Sequence, residues 1–134
     1  MRYLGIDYGE KRIGIALSDP EGRIAFPETT LFQPNAARVV KKIKTLLEKE
    51  RVSTIVIGLP LGLDGKETEE SHAVRRFAEK IKKSISLPIE FENEMFTSRM
   101  VEHKGVKKEH TDAAAAAVIL QSYLDKQDAN DKRI

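Results

Sequence analysis

A short apolar run, Thr54-Ile55-Val56-Ile57, does most to constrain the fold of this chain. On either side of it, apolar residues recur every three or four positions. They are Val39, Val40, Ile43, Leu46 and Leu47 before the run and Val74, Phe77, Ala78, Ile81 and Ile85 after it. Such spacing indicates amphipathic helices, whereas a continuous apolar run is typical of a parallel strand covered on both faces. The sequence therefore predicts an α/β domain with this strand inside its sheet.

The remaining segments complete a βββαβαβα order. Predicted strands cover 2–7, 12–19 and 23–33, a further strand covers 88–92, and the last helix runs from about Thr111 to Leu124. Because Glu90 and Glu92 alternate with apolar residues, we expect the last strand near an edge of the sheet. An antiparallel start followed by crossover helices predicts a mixed five-stranded sheet with helices on both faces. We expect one domain over residues 1–134, with 126–134 as a frayed tail.

Composition and charge narrow the function classes. The formal net charge is only +2, so a nucleic-acid site would have to come from local clusters of basic residues. The chain has no cysteine, which excludes disulfides and thiolate zinc sites. No stretch approaches about 20 apolar residues, so we expect no membrane association and a cytoplasmic location.

Three acidic residues lie where the predicted topology forms sites. Asp7 ends the first strand, Glu94 follows the last strand, and Asp112 is at the start of the last helix. Because sites in such sheets form beyond the carboxyl ends of the strands, we expect these carboxylates to meet at one edge. Oxygen ligands of this kind suit Mg²⁺ or Mn²⁺ acting on phosphate. Two alternatives stay open, namely Asp112 as a helix cap and Glu94 as a solvated loop acid.

The segment from Gly58 to Lys66 is similar to a phosphate-binding P-loop but does not match it. Pro60 replaces the required first glycine, and Glu67 replaces the required Ser or Thr. We interpret the segment as a connecting loop that is long enough to act as a flap against a polyanion. The residues predicted to support turns around the site are Gly9, Gly58, Pro60 and Gly65.

Basic residues close to the predicted acid cluster are candidates for nucleic-acid contacts. They are Lys11, Arg12, Lys66, Arg99, Lys107 and Lys108. Their charges would hold phosphates that flank the cleaved bond, a contribution that weakens as salt is added. The alternative for each of them is an ordinary solvated surface residue.

The motifs taken together resemble the YqgF/RuvX family, which includes pre-16S rRNA nucleases and Holliday-junction-resolvase-like proteins of bacteria. The matching segments are Asp7-Tyr8-Gly9 with Ile13-Gly14-Ile15-Ala16, Gly58-Leu59-Pro60 with Asp64-Gly65, and Thr111-Asp112 with Ala116-Ala117-Val118-Ile119-Leu120. The resemblance implies an RNase H-like fold and a metal-dependent endonuclease that processes the 5′ end of precursor 16S rRNA in ribosome biogenesis. It also implies Asp7, Glu94 and Asp112 as catalytic residues that hold one or two Mg²⁺ or Mn²⁺ ions.

One motif departs from the family pattern. After the last strand the family usually has D-E-R-x-S-T, whereas this chain has Asn93-Glu94-Met95-Phe96-Thr97-Ser98. Asn93 cannot supply an anionic ligand, so the second carboxylate must come from Glu94. Met95 cannot hold a phosphate as the family's Arg would, and Arg99 is a candidate substitute.

The alternatives concern substrate and activity. The chain could be a Holliday-junction resolvase acting on branched DNA, or a non-catalytic nucleic-acid-binding module of the same fold. A sugar kinase or ATPase of the actin-like superfamily also opens with D-x-G, but it needs a second lobe, for which 134 residues leave no room. The expected partner is precursor rRNA or a pre-ribosomal particle, bound by a monomer or a weak homodimer.

Overall fold

The computed structural model describes residues 1–32, 35–94 and 108–131. The strands are β1 (Arg2–Asp7), β2 (Arg12–Ser18), β3 (Ala25–Phe32), β4 (Val52–Pro60) and β5 (Ile89–Glu94). The helices are α1 (Ala36–Lys49), α2 (Glu69–Ser84) and α3 (Lys108–Asp131). None of these helices is long and apolar enough to cross a membrane.

The five strands form one mixed sheet in the order β3-β2-β1-β4-β5. Strand β2 pairs antiparallel with both β1 and β3, whereas β4 pairs parallel with both β1 and β5. This arrangement confirms the predicted fold class, including the central position of the apolar run and the edge position of β5. The carboxyl ends of β1, β4 and β5 therefore share one edge of the sheet.

Helices cover both faces of the sheet, but with different side chains. Between the sheet and helices α1 and α2 lies a core of large apolar residues, among them Ile6 and Ile57 of the sheet and Phe77 of α2. Under α3 the buried cluster is smaller and includes Ala16 and Ala116. Small residues let a helix approach a sheet closely, and glycines on three strands extend this effect.

Glycines on β1, β2 and β4 are in direct contact with α3. An ideal β carbon on Gly5 would lie 2.8 Å from Cβ of Leu120, and one on Gly58 would lie 2.7 Å from Cδ1 of Ile119. On Gly14 it would lie 1.9 Å from the carbonyl oxygen of Asp112. Helix α3 can therefore pack at its observed distance only because these strand positions carry no side chain.

Helix α3 extends beyond its predicted end at Leu124 and includes part of the segment that was expected to fray. The reason is an anchor on β5. The buried Glu92 carboxylate accepts hydrogen bonds from Ser122 Oγ and from Lys126 Nζ, each at 2.7 Å. A buried carboxylate needs such partners, and they hold the second half of α3 against the edge strand.

Two further boundaries, the start of β3 and the end of β4, differ from the sequence prediction. Strand β3 begins at Ala25 rather than at residue 23, because the Asp19 carboxylate accepts the N–H groups of Arg23 and Ile24 and holds them in a turn. Strand β4 includes Gly58 and Pro60, which were predicted to support a turn. Both residues pair with β5 in the register that continues from the apolar run.

Candidate active site

Asp7 and Glu94 are the last residues of β1 and β5, on either side of β4. On β4, an ideal β carbon at Gly58 would lie 3.0 Å from Cδ of Glu94, although the residue that pairs with Glu94 in the register is Pro60. The absence of a side chain at Gly58 therefore makes room for the Glu94 carboxyl group. The Glu94 carboxyl group is close enough to Asp7 for the charge of Asp7 to raise its pKa.

Burial and the negative charges of neighbouring acids make Asp7 and Glu94 unusually weak acids. Burial, and then the charge of Asp112, raise the pKa of Asp7 from its ordinary 3.8 to about 7. Burial, followed by the charges of Asp7 and Glu70, raises the pKa of Glu94 from 4.5 to about 8. The Oε2 atom of Glu94 is buried and has no hydrogen-bond partner among the described residues. An unpaired buried carboxylate oxygen is costly, which favours a bound cation or a proton there.

Asp112 reaches the site from α3. It lies inside the helix, which begins at Lys108, so it is not the N-cap that the sequence left open. Its Oδ2 atom accepts a hydrogen bond from Nε of Arg12 at 2.6 Å. Gly14, which pairs with Asp7 across β1 and β2, packs against the Asp112 backbone and brings the two acids together.

The three acids are therefore linked through Asp7, which interacts electrostatically with each of the other two. Among the described residues, no group of three or more acidic or histidine side chains is already close enough to hold one metal ion. Asp112 is instead neutralised by Arg12. Even without Asp112, Asp7 and Glu94 supply carboxylate oxygens of the type that Mg²⁺ and Mn²⁺ prefer.

A cleft of about 740 Å³ opens between these acids and the first half of α2, and we call it the acidic cleft. Its lining includes Asp7, Glu10, Glu69, Glu70, Arg76 and Glu94. Helix α2 is fixed there by a capping box in which the Thr68 and Ser71 side chains bond each other's backbone N–H groups. Ser71 also donates a hydrogen bond to the carbonyl oxygen of Pro60, which ties α2 to the end of β4.

The sequence analysis did not identify the α2 residues of the acidic cleft. Glu69, Glu70 and Arg76 carry no motif, and charged residues at the start of a helix are common. The spacing of residues along α2 nevertheless carried a signal for these positions. Ala73, Arg76 and Lys80 follow a helical stripe next to the buried one, on a helix that begins beyond the carboxyl end of β4. A side chain on that stripe lies near the sheet edge where sites form.

The predicted basic residues have different surroundings. Arg12 is paired with Asp112, and Lys11 is exposed in the turn between β1 and β2. Lys66 is exposed at a tight turn, where its backbone N–H bonds the Asp64 carboxylate, and it is not among the described residues that line the acidic cleft. Lys108 is the first residue of α3, while Arg99 and Lys107 lie outside the described residues.

Two of the predicted turn glycines do lie in turns. Gly65 has a φ of 79°, a conformation that favours glycine, and its N–H bonds the carbonyl oxygen of Gly62. Gly9 lies between β1 and β2, and an ideal β carbon there would be 2.6 Å from the Arg12 carbonyl oxygen. Close approach, rather than an unusual backbone angle, therefore requires glycine at position 9.

Comparison with known proteins extends over nearly the whole chain. The family model described as "RuvX: Holliday junction resolvase" matches residues 1–126. A protein of Rickettsia felis is 39% identical over 130 residues, covering 91% of this chain and 84% of its own length. One of Chloroflexus aurantiacus is 38% identical over 138 residues, covering 97% and 90%. Both carry the name "Putative pre-16S rRNA nuclease".

Solved structures of other proteins superpose on this chain over nearly its whole length. Thermus thermophilus RuvC superposes with a TM-score of 0.63 at 15% identity, over 96% of this chain and 97% of RuvC. A fowlpox virus resolvase in complex with Holliday junction DNA gives a TM-score of 0.59 at 11% identity, over 95% and 99%. At these identities the likeness establishes an RNase H-like fold. The match of the family model over residues 1–126 and the two relatives at 38–39% identity show that this chain belongs to the RuvX family.

Proposed function

We propose that this chain is a metal-dependent endonuclease that processes the 5′ end of precursor 16S rRNA during ribosome biogenesis. The observation that carries the proposal is the pair of partly buried acids, Asp7 and Glu94, at the carboxyl edge of the sheet, with one buried Glu94 oxygen lacking a partner among the described residues. The name shared by the two relatives supports the substrate. A precursor rRNA substrate also agrees with the cytoplasmic location expected from the sequence.

The site residues have distinct roles in this proposal. Asp7 and Glu94 would hold one or two Mg²⁺ or Mn²⁺ ions, and Asp112 would join them after releasing Arg12. A divalent ion bound there supplies activation of the attacking water and neutralisation of the charge that develops on the leaving oxygen. The two raised pKa values mean that these carboxyl groups give up their protons when the ion binds.

Basic residues would hold the nucleic acid on either side of the cleaved bond. Arg12, once released by Asp112, carries a guanidinium that can bind a phosphate through two parallel hydrogen bonds. Lys11 and Lys66 are exposed and can contribute charge to the same strand. The contacts assigned to Arg99, Lys107 and Lys108 stay predictions, as does a monomer or weak homodimer as the working form.

A cleavage assay with two substrates tests the proposal. The purified protein is incubated with Mn²⁺ and either a labelled 5′ leader of precursor 16S rRNA or a labelled four-way DNA junction. We expect cleavage of the RNA, and loss of cleavage in the Asp7→Asn variant, which keeps the side chain's shape but removes its charge. Binding without cleavage of either substrate would instead indicate a non-catalytic nucleic-acid-binding module.

The second candidate function is resolution of branched DNA. The description of the matching family model as a Holliday junction resolvase favours it. In the same assay, this candidate predicts symmetric cuts in the four-way junction and little cleavage of the RNA leader. The two substrates therefore separate the two functions in one experiment.

A further inference from the structure

The acidic cleft contains one cation among its described lining residues, Arg76 of α2. The acids that line it are Asp7, Glu10, Glu69, Glu70 and Glu94. A nucleic acid carries a negative charge on every phosphate, so a strand that enters this cleft meets strong repulsion. Metal ions at Asp7 and Glu94 would offset part of it, but the acids of α2 remain. A phosphate beside α2 therefore needs a cation from the chain itself.

Arg76 is available for this role, whereas Arg12 and Arg75, the other arginines near the site among the described residues, are paired with acids. It has no hydrogen bond or ion pair with any described residue. The adjacent Arg75 binds both carboxylate oxygens of Glu67, at 2.6 and 2.9 Å, and its guanidinium lies 5.1 Å from the Phe91 ring centroid. Arg12 is held by Asp112. A free, exposed guanidinium among so many acids points to a ligand that is itself anionic.

The positive charge continues along the helix. A second cavity of about 250 Å³ adjoins the acidic cleft and shares Tyr8, Glu10 and Arg76 with it. Lys80, one turn after Arg76, lines this second cavity. The two cations therefore lie in a line that leads away from Asp7 and Glu94 along α2, as a path for a nucleic-acid backbone would.

We propose that Arg76 binds the phosphate of a nucleotide that flanks the cleaved bond and that Lys80 contacts the backbone beyond it. This inference rests on the proposed function, because it takes a single-stranded nucleic acid as the substrate. A guanidinium suits the role, since its planar group donates two parallel hydrogen bonds to phosphate oxygens. Arg76 would thereby set the direction in which the strand leaves the acids.

The test measures binding without cleavage, so that it does not depend on activity. A fluorescently labelled RNA leader is titrated with protein in EDTA at several salt concentrations, and the dissociation constant is obtained from anisotropy. For Arg76→Ala we expect weaker binding and a slope of log K against log[salt] that is smaller by about 0.7, the value for one phosphate contact in a single strand. Lys80→Ala should reduce the slope by a similar amount.

Arg75→Ala is the matched control, because it removes the same charge from the neighbouring position of α2. Arg75 is engaged with Glu67, so we expect RNA affinity and slope to stay at the wild-type values. Equal effects of Arg75→Ala and Arg76→Ala would overturn the inference, since only general charge would then matter. Unchanged binding in Arg76→Ala would overturn it as well and leave the proposed function standing. If the wild-type protein binds neither RNA nor junction DNA, the proposed function fails together with the inference.

Melting curves show whether each variant is folded. Arg76 is exposed and has no partner among the described residues, so Arg76→Ala should melt at the wild-type temperature. Arg76→Lys adds a finer distinction. A retained charge should keep the salt slope, while the loss of paired hydrogen bonds should still weaken binding. Full wild-type affinity in Arg76→Lys would reduce the role of Arg76 to charge alone and contradict the paired contact.

Discussion

Arg12 and Asp112 form an ion pair, with Nε and Oδ2 2.6 Å apart, that joins β2 to α3. The sequence analysis assigned these residues to two different ligands, a phosphate and a metal ion. In the structure each satisfies the other. The pair is partly exposed, at 32% and 20% of the side-chain surface, so it can open without exposing a core. A metal ion that uses Asp112 must therefore compete with Arg12.

This competition predicts an unusual result for Arg12→Gln. Removing the guanidinium leaves Asp112 free to join Asp7, so the affinity for Mn²⁺ should rise, by roughly 10-fold or about 1.4 kcal/mol. The free energy of unfolding should fall by less than about 1 kcal/mol, as for other partly exposed ion pairs. Nucleic-acid cleavage should nevertheless decrease, because a phosphate contact is lost. Isothermal titration with Mn²⁺ measures the first effect.

Arg12→Lys is the control for charge. An ammonium group can still pair with Asp112, so metal affinity should stay near the wild-type value. If Arg12 serves only to hold phosphate, Arg12→Gln leaves Mn²⁺ affinity unchanged, and the competition does not exist.

Asp112→Asn separates a metal ligand from a structural residue. The change keeps the shape of the side chain but removes the charge that Arg12 neutralises. If Asp112 is a ligand, cleavage should fall by orders of magnitude, while metal-free RNA affinity stays the same or rises because Arg12 is released. The control is Asn93→Asp, which adds an acid at the exposed residue next to Glu94. Because Glu94 already supplies the carboxylate, activity should not require an acid at position 93. Wild-type cleavage rates in Asp112→Asn would leave only two acids at the site.

Much of the fold could be predicted because local patterns agree with the final packing. The apolar run before Gly58 and the helical stripes of α1 and α2 are short-range signals, and most of their residues are buried as expected. The length of α3 was not predictable in this way. Its apolar pattern ends at Leu124, and the anchor that continues it joins Lys126 to Glu92, 34 residues away in sequence. Nothing local indicates that Glu92 is buried under a helix.

The same limit applies to the candidate site. Strand ends and glycine turns drew attention to Asp7 and Glu94, since the chemistry of a buried carboxylate can be recognised from one segment. The partner of Arg12 could not be recognised, because Arg12 and Asp112 are 100 positions apart in sequence and are brought together only by the packing of α3 on β2. Arg76 was missed because its neighbour Arg75 looks identical in sequence, and only the structure shows which of the two is paired.

The raised pKa values predict that the metal-free protein loses stability as the pH rises. Asp7 and Glu94 keep their protons in the folded state up to about pH 7 and 8, whereas the unfolded chain releases them near 3.8 and 4.5. Between pH 5 and 7 the folded state thus binds more protons, and stability falls by up to about 1.4 kcal/mol per pH unit for each group. Urea unfolding in EDTA across this range measures the slope.

Asp7→Asn is the matched variant for this slope. The amide does not titrate and does not repel Glu94, so the slope should become smaller and the variant should be more stable than wild type at pH 8. A stability that stays constant or rises from pH 5 to 8 in the wild-type protein would show that the two acids are ordinary.

Metal ions should reverse this loss of stability. Mg²⁺ or Mn²⁺ binds deprotonated carboxylates of the folded state, so millimolar metal should raise the melting temperature, and more at pH 8 than at pH 6. The comparison with Asp7→Asn, in which one ligand is neutral, identifies the site responsible. A melting curve that does not change with metal at either pH would argue against a preformed site at Asp7 and Glu94.

Gly14→Ala tests whether the contact between β2 and α3 positions Asp112. The new methyl group would lie 1.9 Å from the Asp112 carbonyl oxygen, and a backbone atom cannot rotate away as a side chain can. Helix α3 must therefore move, which should lower the free energy of unfolding by about 3 kcal/mol, the upper end of the usual cost of overpacking. Gly65→Ala is the control, because a β carbon there would have no neighbouring atom within 4 Å. Its free energy of unfolding should fall only by the cost of the positive φ, about 1–2 kcal/mol. Urea midpoints give both values, and equal losses would mean that close packing at Gly14 does not hold Asp112 beside Asp7.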